Sequence, residues 1–429
     1  MGRLKRTWKS IKLLFKTKTQ ATVISSDHHN IRLQQMSHHA LSVAKCLENA
    51  GYLAFMVGGS VRDLLISRLP KDFDIATNAH PEEIHALFKN SRIIGRRFRL
   101  VHIYFKEEII EVSTFRASIK QGHNLSHTDN QFGSLEEDAW RRDFTVNALY
   151  FSIKNRQILD FTQGMEDISK RCIRVIGDPL QRFHEDPVRI LRAIRLSAKL
   201  NFSIEKKAEE CIVKLNHLLT DVSRSRLFDE ILKLFFAGHA QATYEKLCDY
   251  DCFTTLFPLS HHALHATQLE WNPNRMVDQA MHATDYRIRK KLGINPGFLL
   301  AVLLWPVLSI RLLRLTDQHQ HKRFVIRRVI EQLIQEQNQS VLIPKRFTRM
   351  IKEVWFLQYH MENLRPKKIF RIASHRHFRA AVDFLELRVM AGEPWSHQAQ
   401  WWRTFREANK EEQLLMKNKL HHTPNKSKN

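Results

Sequence analysis

The sequence predicts an α+β fold in which a mixed α/β head is followed by a long all-α region. Three observations lead to this prediction. Short strand-like apolar runs alternate with helical stripes from residue 22 to about residue 165. Strand-like patterns then largely end, with residues 172–176 as the last candidate. Helical segments separated by glycine and proline breaks fill the remainder, and strands segregated from helices in this way are typical of α+β proteins.

The first element of the head that points to chemistry is a glycine turn. Residues 53–57 are apolar and predict a strand, and Gly58, Gly59 and Ser60 predict a tight turn. A helix is expected to begin at Val61. Backbone N–H groups in such a turn can face an anion, so the stretch predicts a phosphate-binding site.

An Asp-x-Asp pair follows the turn. Asp72 and Asp74 alternate with Phe73 and Ile75, and the strand period of two would place both carboxylates on one face. A glycine pair alone is usually only a turn, and an exposed acid pair alone is usually only solvated. In the order strand, glycine turn, helix, acid pair, they indicate a phosphate site with bound Mg²⁺.

A predicted hairpin offers a further acid. Residues 100–105 and 109–115 are strand-like and flank a short charged turn, which predicts two antiparallel strands. Glu111 alternates with apolar neighbours in the second strand, so it is a candidate for the carboxylate face. Residues 118–134 are polar and predict a loop.

The next motif combines basic and acidic side chains. Arg141 and Arg142 directly precede Asp143 at the start of an apolar stretch. Such a motif can bring positive charge and a third acid to the same cleft. It can equally be a capped helix start with a surface ion pair, and the stretch alone leaves both interpretations open.

The first helix beyond the head carries an arginine stripe. Asp186 resembles an N-cap, and Arg189, Arg192 and Arg195 recur every three residues. The apolar residues of the same segment supply a face for burial, so the arginines are expected to point away from that core.

Composition narrows the class of partner. The chain has 68 Lys+Arg against 44 Asp+Glu, a net charge of +24 and a pI of about 10.0. Such an excess favours a polyanion, with nucleic acid ahead of anionic membrane. Five scattered cysteines argue against a disulfide framework and a zinc site, and they suit a reducing cytoplasm. The longest apolar run, residues 298–310, is too short to span a bilayer and predicts a buried helix.

Taken in order, these motifs resemble a known family. The glycine turn with Val-Arg-Asp, the Asp-Phe-Asp pair, Arg-Arg-Asp-Phe-Thr-Val-Asn and Glu-Asp-Pro-x-Arg-x-x-Arg are similar to the motif set of the class II nucleotidyltransferases. This family comprises bacterial poly(A) polymerases and tRNA CCA-adding enzymes. Residues 94–102, 343–346 and 378–385 are similar to the poly(A) polymerase branch in particular.

The resemblance implies a domain organisation. It places a nucleotidyltransferase-fold catalytic head at residues 22–165, a helical neck that binds the nucleotide base and RNA at 166–255, and an all-α RNA-binding body at 256–416. Residues 1–21 form a basic arm, either disordered or an amphipathic helix on lipid or RNA, and residues 417–429 form a basic disordered tail.

The resemblance also implies an activity and assigns residues to it. The expected reaction is template-independent addition of AMP from ATP to RNA 3′ ends by a two-metal mechanism, promoting RNA turnover. A tRNA CCA-adding enzyme and a non-catalytic RNA-binding regulator are the alternatives. The assigned residues are Asp72, Asp74 and Asp143 for catalysis, with Glu111 as a rival third acid; Asp72 and Asp74 for Mg²⁺; Gly58, Gly59, Arg62 and Arg142 for phosphates; Asn147 for the ribose; and Asp186, Arg189 and Arg192 for the base.

Base choice follows from hydrogen-bond patterns. Adenine and cytosine both present an amino donor beside a ring acceptor, so a carboxylate and an arginine can pair with either. Asp186 and Arg189 would therefore admit A or C and reject G and U, which does not separate poly(A) addition from CCA addition. The expected partners are RNA 3′ ends, ATP and RNA-decay proteins, with peripheral membrane contact through residues 1–20. We expect a cytoplasmic monomer.

Overall fold

The structure is a computed structural model that describes residues 20–95, 99–117, 132–315 and 323–420. Within these ranges the chain forms two compact units. The first unit runs to Arg182 and also includes Phe202–Ala208, and the second comprises Phe183–Asn201 and the chain from Glu209 onward. Predictions for residues 1–19 of the arm, 118–131 of the polar loop and 421–429 of the tail fall outside the described residues.

An eight-stranded sheet forms the centre of the first unit, in the order β1-β8-β7-β2-β3-β6-β5-β4. Neighbouring strands are antiparallel except β3 and β6, which are parallel. The strands are β1 (Thr22–Ile24), β2 (Ala54–Val57), β3 (Asp74–Thr77), β4 (Ser91–Ile94), β5 (Leu100–Tyr104), β6 (Ile109–Thr114), β7 (Leu149–Ser152) and β8 (Gln157–Asp160). A separate parallel pair joins β9 (Cys172–Ile173) to β10 (Ser203–Ile204).

The two faces of this sheet differ. The helices of this part of the chain are α1 (His38–Asn49), α2 (Gly59–Leu65), α3 (Pro81–Leu87), α4 (Leu135–Trp140), α5 (Gly164–Ser169) and α6 (Pro179–Glu185). On one face, Met56, Ile75 and Val112 join α1 in the main apolar core. On the other, a small cluster that includes Val57 and Tyr150 packs against α4. Because Asp74 and Glu111 alternate with core residues, they belong to this second face.

Several predicted elements of the head are confirmed with adjusted bounds. The predicted hairpin is present as antiparallel β5 and β6. Strand β2 begins at Ala54, one residue after the exposed Leu53, and α2 begins at Gly59 instead of at Val61.

The first unit extends beyond the predicted head boundary at residue 165. The backbone N–H of Thr145 donates to the carbonyl of Arg174, and the Arg174 guanidinium pairs with Asp167. These contacts hold the segment after α5 to the head, although it lies in the predicted neck. The predicted neck and body both fall mostly within the second unit.

Among its described residues, the regular secondary structure of the second unit is all helical, which confirms the predicted α+β class. The helix Lys206–Leu215, named α8 below, has residues in both units, as α6 does. The remaining helices are α7 (Val188–Leu200), α8 (Lys206–Leu215), α9 (Arg224–Phe235), α10 (Ala240–Asp249), α11 (Cys252–Leu256), α12 (Pro258–Leu264), α13 (Pro273–Arg289), α14 (Pro296–Leu313), α15 (Arg323–Ser340), α16 (Lys345–Met361), α17 (Ile369–Ala373), α18 (Phe378–Met390), α19 (Ser396–Glu407) and α20 (Lys410–Lys419).

Helix α14 is the apolar centre of the second unit. It is longer than the predicted 298–310 run because Asn295 caps it, its side chain accepting a hydrogen bond from the Gly297 N–H. Its 18 residues have the length and apolarity of a membrane span, but 67% of them are buried inside the protein. This burial confirms the predicted core helix.

The predicted start of the disordered tail, at residue 417, lies within the last helix. Helix α20 continues to Lys419, so residues 417–419 are helical. The cause is a capping box at its start, in which the Asn409 side chain accepts from the Glu412 N–H and the Glu412 side chain accepts from the Asn409 N–H.

Candidate active site

The glycine turn lies between β2 and α2 and brings positive charge close to its backbone. Gly58 has a φ of +77°, a conformation that glycine adopts without strain. A β-carbon at Gly58 would lie 3.6 Å from Arg142 Nη1, and one at Gly59 would lie 3.4 Å from Arg62 Nη2. The two glycines therefore let two guanidinium groups approach the turn, as a phosphate site requires.

Arg62 is committed to internal contacts. Its side chain is 4% exposed, and its Nε donates to Asp63 Oδ1 at 2.9 Å while Nη1 donates to Asn147 Oδ1. Asn147 Nδ2 in turn donates to Asp143 Oδ1 at 3.5 Å. These contacts join the glycine-turn helix to the Arg-Arg-Asp motif. The predicted contact of Arg62 with a phosphate stays a prediction, and the hydrogen bond to Asn147 is the contact that the structure shows.

The two aspartates have the predicted alternation. Asp72 and Asp74 are exposed, while Phe73 and Ile75 are 6% and 0% exposed. Strand β3 begins only at Asp74, so Asp72 lies just before the strand. Both carboxylates are accessible beside the sheet, which is the requirement for binding an ion or substrate.

The strand register supplies the neighbour of Asp74. Asp74 on β3 is directly opposite Glu111 on the parallel strand β6. Glu111 Oε2 also lies 3.5 Å from His102 Nε2 on β5. Asp143 instead accepts a 2.9 Å hydrogen bond from the Phe144 N–H and contacts Asn147. Of the two candidates for a third acid, the register therefore brings Glu111 beside Asp74.

Asp74 shows the consequence of crowding carboxylates. The pKa of Asp74 is raised to about 6, first because it loses hydration and next because Glu111 and Asp72 repel its negative charge. Arg142 opposes this rise. A bound dication would relieve the repulsion, so the oxygen donors present fit Mg²⁺.

The donor set is small. Among the described residues, no group of three or more His, Cys, Asp or Glu side chains is arranged to hold a metal ion. Mg²⁺ usually binds through one or two carboxylates together with substrate phosphates and water. The pair Asp72 and Asp74 meets that smaller requirement.

A buried carboxylate supports Arg142. Asp138 is 1% exposed, and its Oδ2 accepts from Tyr150 OH at 2.6 Å and from Arg142 Nη2 at 3.1 Å. Its Oδ1 accepts from Arg141 and from the backbone N–H of Arg116. Burial alone would raise the pKa of Asp138, but Arg142 and Arg141 outweigh it and the pKa is lowered. The carboxylate is therefore ionised, and it holds both arginines in place.

Sequence reasoning missed Asp138 and Tyr150. Asp138 lies four residues before Arg142, a spacing that favours an ion pair on a helix, and this was the available signal. The sequence carries no such signal for Tyr150, because β7 meets α4 only through the tertiary fold.

In the second unit, the predicted base-reading residues lie together at the start of α7. Asp186 Oδ1 accepts from the Val188 N–H at 3.3 Å, and its Oδ2 pairs with Arg226 Nη2 at 2.9 Å. Arg189 Nη1 lies 3.1 Å from Glu185 Oε2. Arg192 is half-buried on the same helix, and the helix buries its apolar residues as the sequence predicts.

Family models match three parts of the chain. Residues 54–174 match "Poly A polymerase head domain", residues 201–264 match "Probable RNA and SrmB- binding site of polymerase A", and residues 318–429 match "Polymerase A arginine-rich C-terminus". The first match contains the glycine turn, the acid pair and the Arg-Arg-Asp motif.

The sequence relatives that match nearly the whole chain are also poly(A) polymerases. Poly(A) polymerase I of Salmonella typhimurium is 40% identical over 419 residues, covering 94% of this chain and 90% of that protein. The CCA-adding enzyme of Lactobacillus helveticus is 39% identical over 211 residues, only 49% of this chain and 53% of that protein. The fold resembles that of the Bacillus stearothermophilus CCA-adding enzyme in complex with CTP, with a TM-score of 0.57 at 24% identity, covering 86% of this chain and 81% of that one.

Proposed function

Because the chain belongs to the bacterial poly(A) polymerase I family of class II nucleotidyltransferases, we propose that the site in its first unit transfers AMP from ATP to RNA 3′ ends. The chain is a polynucleotide adenylyltransferase by that membership. The observation that carries the assignment of the site is the pairing of Asp74 with Glu111 on one sheet face, with Asp72 just before the strand and the glycine turn and Arg142 close by.

The acid pair would hold the metal. Mg²⁺ bound by Asp72 and Asp74 would supply activation of the RNA 3′-hydroxyl and charge stabilisation for the departing pyrophosphate. The raised pKa of Asp74 is consistent with this assignment, since burial and, after it, repulsion by Glu111 and Asp72 disfavour its negative charge, and a bound cation would favour it. We propose Glu111 as the third acid, because the register sets it beside Asp74.

The remaining residues bind and orient the substrate. In the reaction, a new bond joins the RNA 3′-oxygen to the α-phosphorus of ATP, and the bond to the β-phosphate oxygen breaks. We assign Arg142 and the backbone at Gly58 and Gly59 to the triphosphate, because the guanidinium lies next to the turn. Asp138 positions Arg142, and Arg62 positions Asn147 for the ribose.

Base selection is assigned to residues of the second unit. Asp186 and Arg189, with Arg192, carry the carboxylate and guanidinium groups that complement adenine. The ion pairs of Asp186 with Arg226 and of Arg189 with Glu185 support this assignment, because they hold both side chains at the start of α7.

One assay tests the reaction. The purified protein is given Mg²⁺, labelled ATP or CTP, and either an unstructured RNA or a tRNA without its terminal CCA. Long ATP-dependent tails on the unstructured RNA are expected. CTP incorporation confined to the tRNA would identify a CCA-adding enzyme instead, and RNA binding without any incorporation would identify a non-catalytic regulator.

Substitutions test the residues. Asp72→Ala and Asp74→Ala should each abolish transfer and largely spare RNA affinity, whereas Glu107→Ala should leave transfer unchanged because it removes an exposed acid of the same unit outside the site. Glu111→Gln should reduce turnover more than Asp143→Asn does. Near-normal transfer by Asp74→Ala would refute the metal assignment.

The cellular setting is also a proposal. None of the five cysteines, all of which lie in the described part of the chain, forms a disulfide, which supports a reducing cytoplasm. We propose that tail addition there promotes RNA turnover together with RNA-decay proteins.

A further inference from the structure

The second unit contains a cavity that the proposed chemistry does not use. It has a volume of about 560 Å³, within the range of about 300–1,000 Å³ typical of small-ligand sites. The C-terminal end of α13, the N-terminal end of α14 and one side of α18 line it. The family description of an RNA-binding site covers residues 201–264, and of the residues that line the cavity only Phe236 falls in that range.

The walls of this cavity are apolar and open to solvent. Tyr286 is 54% exposed, Met390 is 49% exposed and Ile294 is 38% exposed, although all three line the cavity. Phe298 lies behind them, with its ring 5.9 Å from that of Phe384. Exposed apolar side chains that converge on one cavity indicate a ligand with a flat or apolar surface.

The charge around the cavity is positive. Its acids, Asp383 and Glu386, pair with Arg406 at 2.6 Å and Arg403 at 2.9 Å. In the described part of the chain, no carboxylate pairs with the cavity residues Arg287 and Arg379. Arg287 instead donates to the carbonyl of Gly293 at 2.7 Å, which fixes the direction of its guanidinium without neutralising it.

We propose that this cavity binds an unpaired nucleotide of the RNA substrate, with its base against Tyr286 and its phosphates near Arg379 and Arg287. An aromatic platform beside unneutralised arginines is the combination by which proteins bind single-stranded nucleic acid without reading sequence. A base in a duplex cannot enter, because its faces are already stacked. The inference rests on the proposed function, which makes RNA the substrate of this chain.

The net charge of the protein favours RNA over a protein ligand. The chain carries +24, and an apolar partner surface would gain nothing from two unpaired guanidiniums at the rim. An RNA strand would gain from both features of the cavity, since its bases are apolar on their faces and its backbone is anionic.

Binding of a fluorescein-labelled 15-nucleotide oligo(A), measured by anisotropy, tests the proposal. Tyr286→Ala should weaken binding about tenfold, the order of magnitude of one lost base stack. Tyr286→Phe keeps the ring and should bind as wild type does, and a duplex of equal length should be bound equally by all three proteins. Arg379→Ala should lower the slope of log K against log salt by about 0.7, the value for one phosphate contact on a single strand.

Arg371→Ala is the matched control, because Arg371 is an exposed arginine of the same unit outside the cavity. Its salt slope should stay unchanged. The proposal would be overturned if Arg371→Ala and Arg379→Ala lowered the salt slope equally, or if Tyr286→Ala left the affinity for oligo(A) unchanged. A protein ligand would then be the remaining candidate for the cavity. An equal loss of oligo(A) affinity in Tyr286→Phe and Tyr286→Ala would exclude stacking of a base on the Tyr286 ring.

Transfer of labelled AMP to the same oligonucleotide separates this inference from the proposed function. Tyr286→Ala should raise KM for RNA about tenfold with kcat unchanged at saturating RNA. If the wild type transfers no AMP, the proposed function fails, whatever the cavity binds. If the wild type transfers AMP and Tyr286→Ala has the wild-type KM for RNA, only the cavity assignment fails.

Discussion

Asp138→Asn should lower the stability of the first unit and weaken ATP binding at the proposed site. The substitution removes the negative charge that Arg142 Nη2 meets at 3.1 Å and that Tyr150 OH meets at 2.6 Å. The amide keeps one acceptor oxygen but turns an N–H₂ group toward a guanidinium. Arg141 and Arg142 then remain without a compensating carboxylate in a largely buried position.

The burial of the ion pairs determines how much stability Asp138→Asn should cost. Breaking a buried ion pair by removing one partner costs about 3–5 kcal/mol. Arg142 and Arg141 have side chains that are 19% and 26% exposed, so water can partly replace the carboxylate and the low end applies. For a unit of this size about 3 kcal/mol lowers the melting temperature by roughly 6–12 °C.

The assay pairs calorimetry with ATP kinetics. Asp167→Asn is the control, because Asp167 is also buried and ion-paired, with Arg174, but does not touch Arg142. Both variants should lose stability, and only Asp138→Asn should raise KM for ATP, by about tenfold. In a double-mutant cycle with Arg142→Gln, a coupling below about 0.5 kcal/mol would refute the positioning role of Asp138.

Three further predictions concern other parts of the chain. Gly164→Ala should destabilise the first unit by about 1–3 kcal/mol in urea denaturation, because the new β-carbon would lie 2.4 Å from the Thr145 carbonyl oxygen, whereas Gly293→Ala, with nothing within 4 Å, should change stability by less than about 0.5 kcal/mol. Arg388→Met should destabilise the second unit by about 3–5 kcal/mol, because Glu362 and Glu393 lose the guanidinium that lies 2.7 Å and 2.6 Å away; adding Glu362→Gln and Glu393→Gln should restore part of the loss, and no restoration would contradict the ion-pair explanation. Arg189→Ala should reduce the preference for ATP over GTP roughly tenfold in single-nucleotide incorporation, and an unchanged preference would remove Arg189 from base selection.

The part of the site that the sequence predicts is the part built from neighbours along the chain. Asp72 and Asp74 alternate with two buried residues, and that alternation is visible in the sequence because a strand repeats every two residues. The glycine turn is visible for a similar reason, since a backbone φ of +77° at Gly58 calls for glycine.

The part that the sequence does not predict depends on pairing between distant strands. Glu111 faces Asp74 only because β6 runs parallel to β3, and a one-residue shift would send its side chain to the other face. The sequence does not predict strand β7, because all its residues are buried and a short apolar run without alternation does not distinguish a strand from a helix.

Side-chain exposure distinguishes two kinds of residue within the motif set: those that hold neighbouring side chains and those that are accessible to substrate. Arg62 and Asn147 belong to motifs predicted to bind nucleotide, but Arg62 is only 3% exposed and its guanidinium donates to the Asn147 side-chain oxygen. Asp74 belongs to the same motif set and is accessible at the sheet face. A residue that positions its neighbours and a residue that touches substrate are equally necessary for the reaction, so a sequence motif contains both kinds. Only the hydrogen-bond partners and the accessible surface tell them apart, and on that basis we propose that Arg62, like Asp138, is a positioning residue.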